Sequence, residues 1–412
     1  MMQDKLRLAT AARDFGTPLY AYDLDFIHNR FATLQQLFEG RFGISYAVKA
    51  NPNKALLGGI KSHVATFDVS SFAEMQRVLA VGCPSEHVTF SGPAKRAQEI
   101  ENAIALGLGE LVVESIDEAQ AASAFALKHG RKQDVLIRIN PLRVPRNFGV
   151  NMAGKPSQFG IDEEAMESAI TTIMALDGLS LIGFHIYSGT NSLKAEAIAE
   201  NFEIFIDIFK RASAIAAIHP RKLIFGSGFG IPYLPDDTPL DMDTLATRVN
   251  PMMDAFLADP HFAKSQCILE MGRWLVGPGG WLLTSVISAK HSRGSDYRTC
   301  DAGFNNHLAA CGMMGTVIRR NWIIENVSNP TGKTSGYTLV GPLCTTIDII
   351  ASHIELPELR QGDVVSIAQS GAYGLTASPT RFISHPEPRE VLMSGNTMVD
   401  VTESHLNHWS GT

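Results

Sequence analysis

The 412-residue sequence holds only five cysteines, Cys83, Cys267, Cys300, Cys311 and Cys344, and no CxxC pair. Few, odd in number and far apart, they exclude a disulfide framework and a thiolate zinc site, and they fit reduced thiols in the cytoplasm. Positive charge is also short: 35 Lys and Arg stand against 42 Asp and Glu, for a net charge of −7. That balance argues against nucleic acid as a partner. No apolar run approaches the roughly 20 residues that span a bilayer. The opening stretch MMQDKLRLATAARDFG mixes charges and has no apolar segment of the secretory kind. Neither a membrane association nor a metal is expected. The glycine-rich segment LIFGSGFGIPY holds no GxGxxG and no GKS or GKT, which sets it apart from the usual dinucleotide and P-loop signatures.

What is present is a large core. Hydrophobic residues make up 45% and charged residues 19%, ordinary for a globular protein, and the length suits two or three domains. From about residue 40 to 270, β-rich runs alternate with helical patterns. The runs are ISYAVKA, ATFDVSS, HVTFSG, ELVVES, DVLIRIN, SLIGFHIYSG, KLIFGSG and QCILEMG. Eight strands joined by helices predict a closed parallel α/β barrel, whose chemistry sits at the C-terminal strand ends. Lys49, Asp68, His185, Gly226 and Glu270 mark five such ends. After residue 275 strand-like segments and turns replace the helical alternation, which predicts a second, mainly β domain. The early segment PLYAYDLDF reads as a strand of that domain. The expected division is a barrel over 25–265 and a β domain, Greek-key-like, over 1–24 and 266–412.

Several residues suit chemistry. Lys49 ends an apolar strand, where burial would lower its pKa and favour a nucleophilic amine; a lysine snorkelling to solvent is the alternative. Gly226, Gly228 and Gly230 follow a strand, where glycine lets backbone N–H groups approach a phosphate; a plain strand-to-helix turn reads equally well. Glu270 can pair with a protonated ring nitrogen, and Arg273 can grip a phosphate or carboxylate; an ordinary surface ion pair is the plainer account. His185 and Ser188, in GFHIYSGT, suit a planar phosphorylated ligand, against a satisfied core histidine. Asp68 invites the same two readings. Cys344, in LVGPLCTTID, is a candidate proton donor or a small apolar filler. Tyr373, in SGAYGLTASP, offers a phenol to a phosphate or simply packs in a turn.

The order of these motifs along one chain is more telling. YAVKAN, FDVSS, HIYSGT, GSGFG, LEMGR, CDAG, GPLCTTID and SGAYG resemble the alanine-racemase-fold (type III) pyridoxal-phosphate decarboxylases, such as those of diaminopimelate, ornithine and arginine. The likeness runs from about residue 15 to 395. It implies a barrel, a C-terminal β domain and a head-to-tail homodimer with shared active sites. It makes Lys49 the Schiff-base lysine and His185 the ring-stacking residue. Ser188, Gly228 and Tyr373 become phosphate contacts, with Asp68 and Gly272 also in the cofactor site. Glu270 becomes the partner of the pyridine nitrogen, and Arg273 lies near the phosphate and substrate carboxylate. Cys344 becomes the proton donor contributed by the neighbouring subunit. Thr345 and Asp348, beside it, are candidate substrate contacts.

Three departures stand out. The chain reads GSG for the usual GGG and EMGR for EPGR. The third concerns substrate: where diamine-forming members carry an acidic residue after the cysteine, this chain has Thr345. Lacking that carboxylate, a distal ammonium loses a charge-assisted hydrogen bond worth roughly 1.5–3 kcal/mol. NMAGKPSQFGID, RRNW and GPLCTTID are similar to a biosynthetic subgroup: the carrier-protein-bound L-glutamate decarboxylase of the butirosin pathway, citryl-diaminopropionate decarboxylases of siderophore pathways and exosortase-associated decarboxylases. The resemblance thus implies removal of an amino acid's α-carboxylate from a modified or carrier-tethered substrate, with a free diamino acid as the alternative. Glu270 argues against a racemase, whose fold members set an arginine on the ring nitrogen. Retention of Lys49, His185, Glu270 and Cys344 argues against a non-catalytic homologue. Arg143, Arg146, Lys155, Arg319 and Arg320 are candidate contacts for an acidic acyl carrier protein or a citrate-like group.

Overall fold

The structure, a computed structural model, describes residues 2–146, 148–313 and 320–403. It divides into two units: His28–Ile231 with Thr238–Trp274, and Met1–Ile27 with Pro232–Asp237 and Leu275–Thr412.

The first unit is the expected barrel. Its strands are Gly43–Ala47, Thr66–Val69, Val88–Phe90, Glu110–Val113, Gln133–Asn140, Leu179–Ile186, Lys222–Gly226 and Gln266–Met271. Each pairs in parallel with the next, and the eighth pairs with the first, so the sheet closes. Most strand residues are buried on both faces, as a parallel sheet covered by helices requires. Local signals start the helices. Ser71 caps Phe72–Ala80, Ser115 caps Ile116–Lys128 and Asp241 caps Met242–Leu257, each side chain accepting an N–H three residues on.

The lumen is layered. At its floor, Glu110 and Lys222, from strands four and seven, form a buried ion pair, and Thr89 donates to the same carboxylate at 2.8 Å. Strands four and seven are not neighbours, so this pair meets across the interior. Above it lies an apolar belt of Val112, Leu136, Ile182, Ile224 and Ile268. The C-terminal ends are polar, and the candidate residues gather there.

The expected boundary at 265 needs correction. Gln266–Met271 is bonded on both sides, to strands seven and one, so it closes the barrel and cannot belong to the β unit. The first unit therefore continues to Trp274.

The second unit is β-rich. Its long strand Gly280–Ser292 pairs with Leu19–Asp23, Val364–Ile367 and Ser295–Cys300. Leu19–Asp23 in turn runs parallel to Arg389–Ser394. Buried side chains such as Tyr20, Leu282, Leu339, Ile350 and Val365 form its core.

Candidate active site

The first strand ends at Ala47, and a single 3-10 turn, Val48–Ala50, carries Lys49. The turn is pinned from both sides. Tyr46 Oη donates to the Asn51 carbonyl at 3.0 Å, and Asn51 Oδ1 accepts the Asn53 N–H at 3.1 Å. Asn53 then caps the following helix, Lys54–Ile60. Contrary to expectation, Lys49 is not buried: its side chain is 41% exposed. It has left the strand, and two carboxylates rather than burial set its surroundings. Asp68 Oδ2 lies 3.6 Å from Nζ and Glu270 Oε1 lies 3.8 Å away.

These two carboxylates differ. Burial pushes Asp68 up to about 7, the neighbouring Glu270 charge adds to the rise, and Lys49 only partly offsets it. Burial also opposes ionisation of Glu270, but the charge of Lys49 and the hydrogen bond from His185 outweigh it and hold Glu270 below the usual carboxylate range. Glu270 Oε2 meets His185 Nε2 at 2.7 Å, and both are nearly inaccessible. Burial lowers the pKa of His185 despite that carboxylate. His185 is therefore a neutral imidazole at pH 7 whose Nε2–H donates to Glu270.

The ends of strands six and seven add a cradle of backbone and small side chains. Gly228 has φ +65°, and a Cβ there would lie 2.6 Å from Phe148 and 2.8 Å from the Gly189 carbonyl, so only glycine fits. Ser188 is fully buried and its Oγ has no hydrogen-bond partner. Ser227, the serine of GSG, donates to the Glu270 carbonyl at 2.9 Å and so ties strand seven to strand eight. At Gly272 a Cβ would meet that of Ala50 at 2.8 Å; its absence lets the end of strand eight lie against the Lys49 turn. Arg273 opens the short helix Arg273–Val276 that follows.

Two site residues escaped the sequence reading. Glu114 and Arg138, at the ends of strands four and five, are buried and paired at 2.8 Å. Glu114 also accepts the N–H groups of Gly92 and Gly160, each at 2.9 Å, and the Arg138 guanidinium lies 4.8 Å from the Phe159 ring centroid. Arg138 is the register partner of His185, and its charge helps keep His185 neutral and Glu270 ionised. ELVVES and DVLIRIN, which end here, carried the same strand-end signal as the motifs that were singled out.

The arrangement matches known proteins over nearly its whole length. Residues 24–277 fit the family of the pyridoxal-dependent decarboxylase pyridoxal-binding domain. The chain is 30% identical to L-glutamyl-[BtrI acyl-carrier protein] decarboxylase of Niallia circulans, covering 95% of this chain and 92% of that one. The chain belongs to the pyridoxal-dependent decarboxylases. The decarboxylase is also 28% identical to 2-[(L-alanin-3-ylcarbamoyl)methyl]-2-hydroxybutanedioate decarboxylase of Staphylococcus aureus, covering 91% of this chain and 94% of that one. Its fold superposes on diaminopimelate decarboxylase from Helicobacter pylori complexed with L-lysine, with TM-score 0.82 and 26% identity, covering 95% of this chain and 96% of that one.

The barrel residues of the decarboxylase fit pyridoxal phosphate. The unpartnered Ser188 Oγ and the Gly228 turn suit a phosphate, and an ionised Glu270 held by His185 suits a ring nitrogen. Buried His185 Nδ1 also has no hydrogen-bond partner.

The remaining candidates lie in the β unit. Cys344 is an exposed free thiol, whereas the other four cysteines are buried. Thr345 is half-buried, and its N–H donates to the Leu343 carbonyl at 2.8 Å. Tyr373 sits at φ +55° between Gly371 and Gly374. A Cβ on either glycine would strike the Val276 carbonyl or Tyr20, so the Tyr373 loop packs by close backbone approach. Asp348 corrects an expectation. It is 2% exposed, and its two oxygens accept the N–H groups of Phe304 and Leu343 at 2.8 and 2.9 Å. Buried, its carboxylate braces the Cys344 loop. Arg320 is paired with Asp236, and Arg319 lies outside the described residues.

Among the described residues no helix is long and apolar enough to cross a membrane.

Proposed function

We propose that this decarboxylase removes the α-carboxylate of an amino acid held within a larger conjugate, with a carrier-protein-tethered aminoacyl group as the leading case. The observation that carries this reading is the acid-free run after Cys344. Thr345 follows the cysteine, and Asp348, the next acidic residue, is committed to two backbone amides. A distal substrate ammonium therefore has no carboxylate in this loop. The activities of two relatives, one on a carrier-bound glutamyl group and one on a citrate-like conjugate, support the same reading.

Pyridoxal phosphate bound in the barrel supplies the electron sink into which the C–C bond breaks. Lys49 is the residue to hold its carbonyl carbon. Asp68, with its raised pKa, and Glu270, ionised, flank that amine. Glu270 keeps a proton on the ring nitrogen, and neutral His185 fixes the Glu270 carboxylate and offers its ring as a platform. Ser188, Gly228 and Tyr373 hold the phosphate, while Arg273 receives it or the substrate carboxylate. Cys344, supplied by the second subunit of a homodimer, returns a proton to the α-carbon. Five free cysteines support a reducing, cytoplasmic location.

A CO2-release screen tests the substrate. It compares free lysine, ornithine, arginine, meso-diaminopimelate and glutamate with carrier-bound glutamate and citryl-diaminopropionate. The conjugates should turn over and the free acids should not. Rapid turnover of a free diamino acid overturns the reading.

A further inference from the structure

Between strands five and six the chain forms a strap, residues 142–160, with the sequence LRVPRNFGVNMAGKPSQFG. The strap is fastened to the cradle. Val150–Asn151 pair with Gly189–Thr190, and the Met152 N–H donates to the Ser188 carbonyl at 2.8 Å. Phe148 is fully buried in contact range of Gly189 and Gly228. Near its far end the Gly160 N–H donates to Glu114 at 2.9 Å. Among its described residues several side chains face solvent: Arg143, Arg146 and Lys155 are exposed, as are Leu142 at 63% and Val150 at 60%.

The strap carries three basic residues and no acidic one, in a chain whose net charge is −7. Among the described residues no carboxylate pairs with Arg143, Arg146 or Lys155. Some other exposed arginines are neutralised locally: Arg211 by Glu163 and Asp207, Arg320 by Asp236. Of the acidic groups next to the strap, Glu163 already serves Arg211 and the Leu142 N–H, and Asp162 accepts from Asn140. Unpaired cations around exposed apolar side chains, beside the mouth of a site, suit an anionic protein partner with an apolar contact at its centre.

We infer that this strap is the docking surface for an acidic acyl carrier protein that delivers the aminoacyl thioester into the barrel mouth. The inference rests on the tethered-substrate reading. Arg143, Arg146 and Lys155 meet carboxylates of the carrier, and Leu142 and Val150 meet its apolar surface. The strap's fastening to Ser188 and Gly189 holds the dock at a fixed place relative to the cradle.

The test uses two substrates on the cofactor-loaded enzyme: L-glutamyl thioester on an acidic acyl carrier protein, and L-glutamyl-S-pantetheine, which lacks the protein. The variant Arg143→Glu/Arg146→Glu/Lys155→Glu should lose about tenfold or more in kcat/KM on the carrier substrate, chiefly through KM, and keep its kcat/KM on the pantetheine substrate. Raising ionic strength from about 0.05 to 0.3 M should reproduce the loss in the parent enzyme. Arg320→Glu, a single reversal at a neutralised arginine, should behave as the parent. The inference fails if the triple variant turns over the carrier substrate normally. It also fails if both substrates suffer equally, or if light scattering shows that the reversals act by splitting an oligomer. If only free amino acids are decarboxylated and neither thioester reacts, the tethered reading falls, and the docking surface with it.

Discussion

Lys49 stands between two carboxylates that burial pushes the same way and that their partners set apart. Glu270 stays ionised because Lys49 and His185 serve it, whereas Asp68 is raised to about 7. Lys49→Ala should abolish CO2 release and the yellow absorbance of the loaded enzyme; a coloured, active variant would remove Lys49 from its assigned role. Asp68 yields a prediction for the cofactor-free protein. Its folded pKa lies above its unfolded value near 3.9, so the folded state is penalised as pH rises from about 4 to 7, and the penalty persists above that. Asp68→Asn should therefore melt above the parent at pH 8 and show no such advantage at pH 4. A melting gap that does not change with pH would contradict this. At this scale the sequence was readable where a polar side chain ends an apolar run, as at Asp68, His185 and Glu270. It was not readable where the decision lies in partners far along the chain. The two backbone amides that occupy Asp348, and the Glu270 carbonyl that uses Ser227, leave no trace in local pattern.

The eight runs that became barrel strands were legible because parallel strands covered on both faces are short, continuous and apolar. The boundary between units was not. Composition changes near residue 275, but strand eight belongs to the barrel through its pairing with strand one, a contact across more than two hundred residues of chain. The β unit holds a second titratable element, the loop carrying His307. Burial lowers this imidazole to about 3. Nδ1 accepts the Ala310 N–H at 3.3 Å, so Nε2–H faces Ser370 Oγ at 3.1 Å. Its folded pKa lies below the unfolded value near 6.5, so its contribution is full above pH 6.5 and is lost as pH falls towards 3. The slope is about 1.4 kcal/mol per pH unit for one proton. Unfolding titrations of His307→Gln should show an acid slope shallower by one proton in that window. An unchanged slope would mean that another group governs acid sensitivity.

On the scale of the whole molecule, the proposal divides each active site between two chains, Lys49 from one and Cys344 from the other. Lys49→Ala and Cys344→Ala homodimers should each be impaired. After subunit exchange in equal proportion, half the dimers would carry one intact site, which should restore about a quarter of parental activity. Assayed by CO2 release under conditions that allow exchange, a mixture no more active than the mean of its components would show that no site is shared. Composition gave little hint of such sharing; only the resemblance of the GPLCTTID motif did, because residues that meet a second chain carry no local periodicity.

The layered lumen bears on traffic. Beneath the polar strand ends lie a belt of branched aliphatic side chains and, below that, the Glu110–Lys222 pair. The barrel is consequently a cup and not a tube. Water cannot rise through its floor, and carbon dioxide cannot drain that way. Substrate, departing gas and the replacing proton therefore share the rim at the C-terminal strand ends.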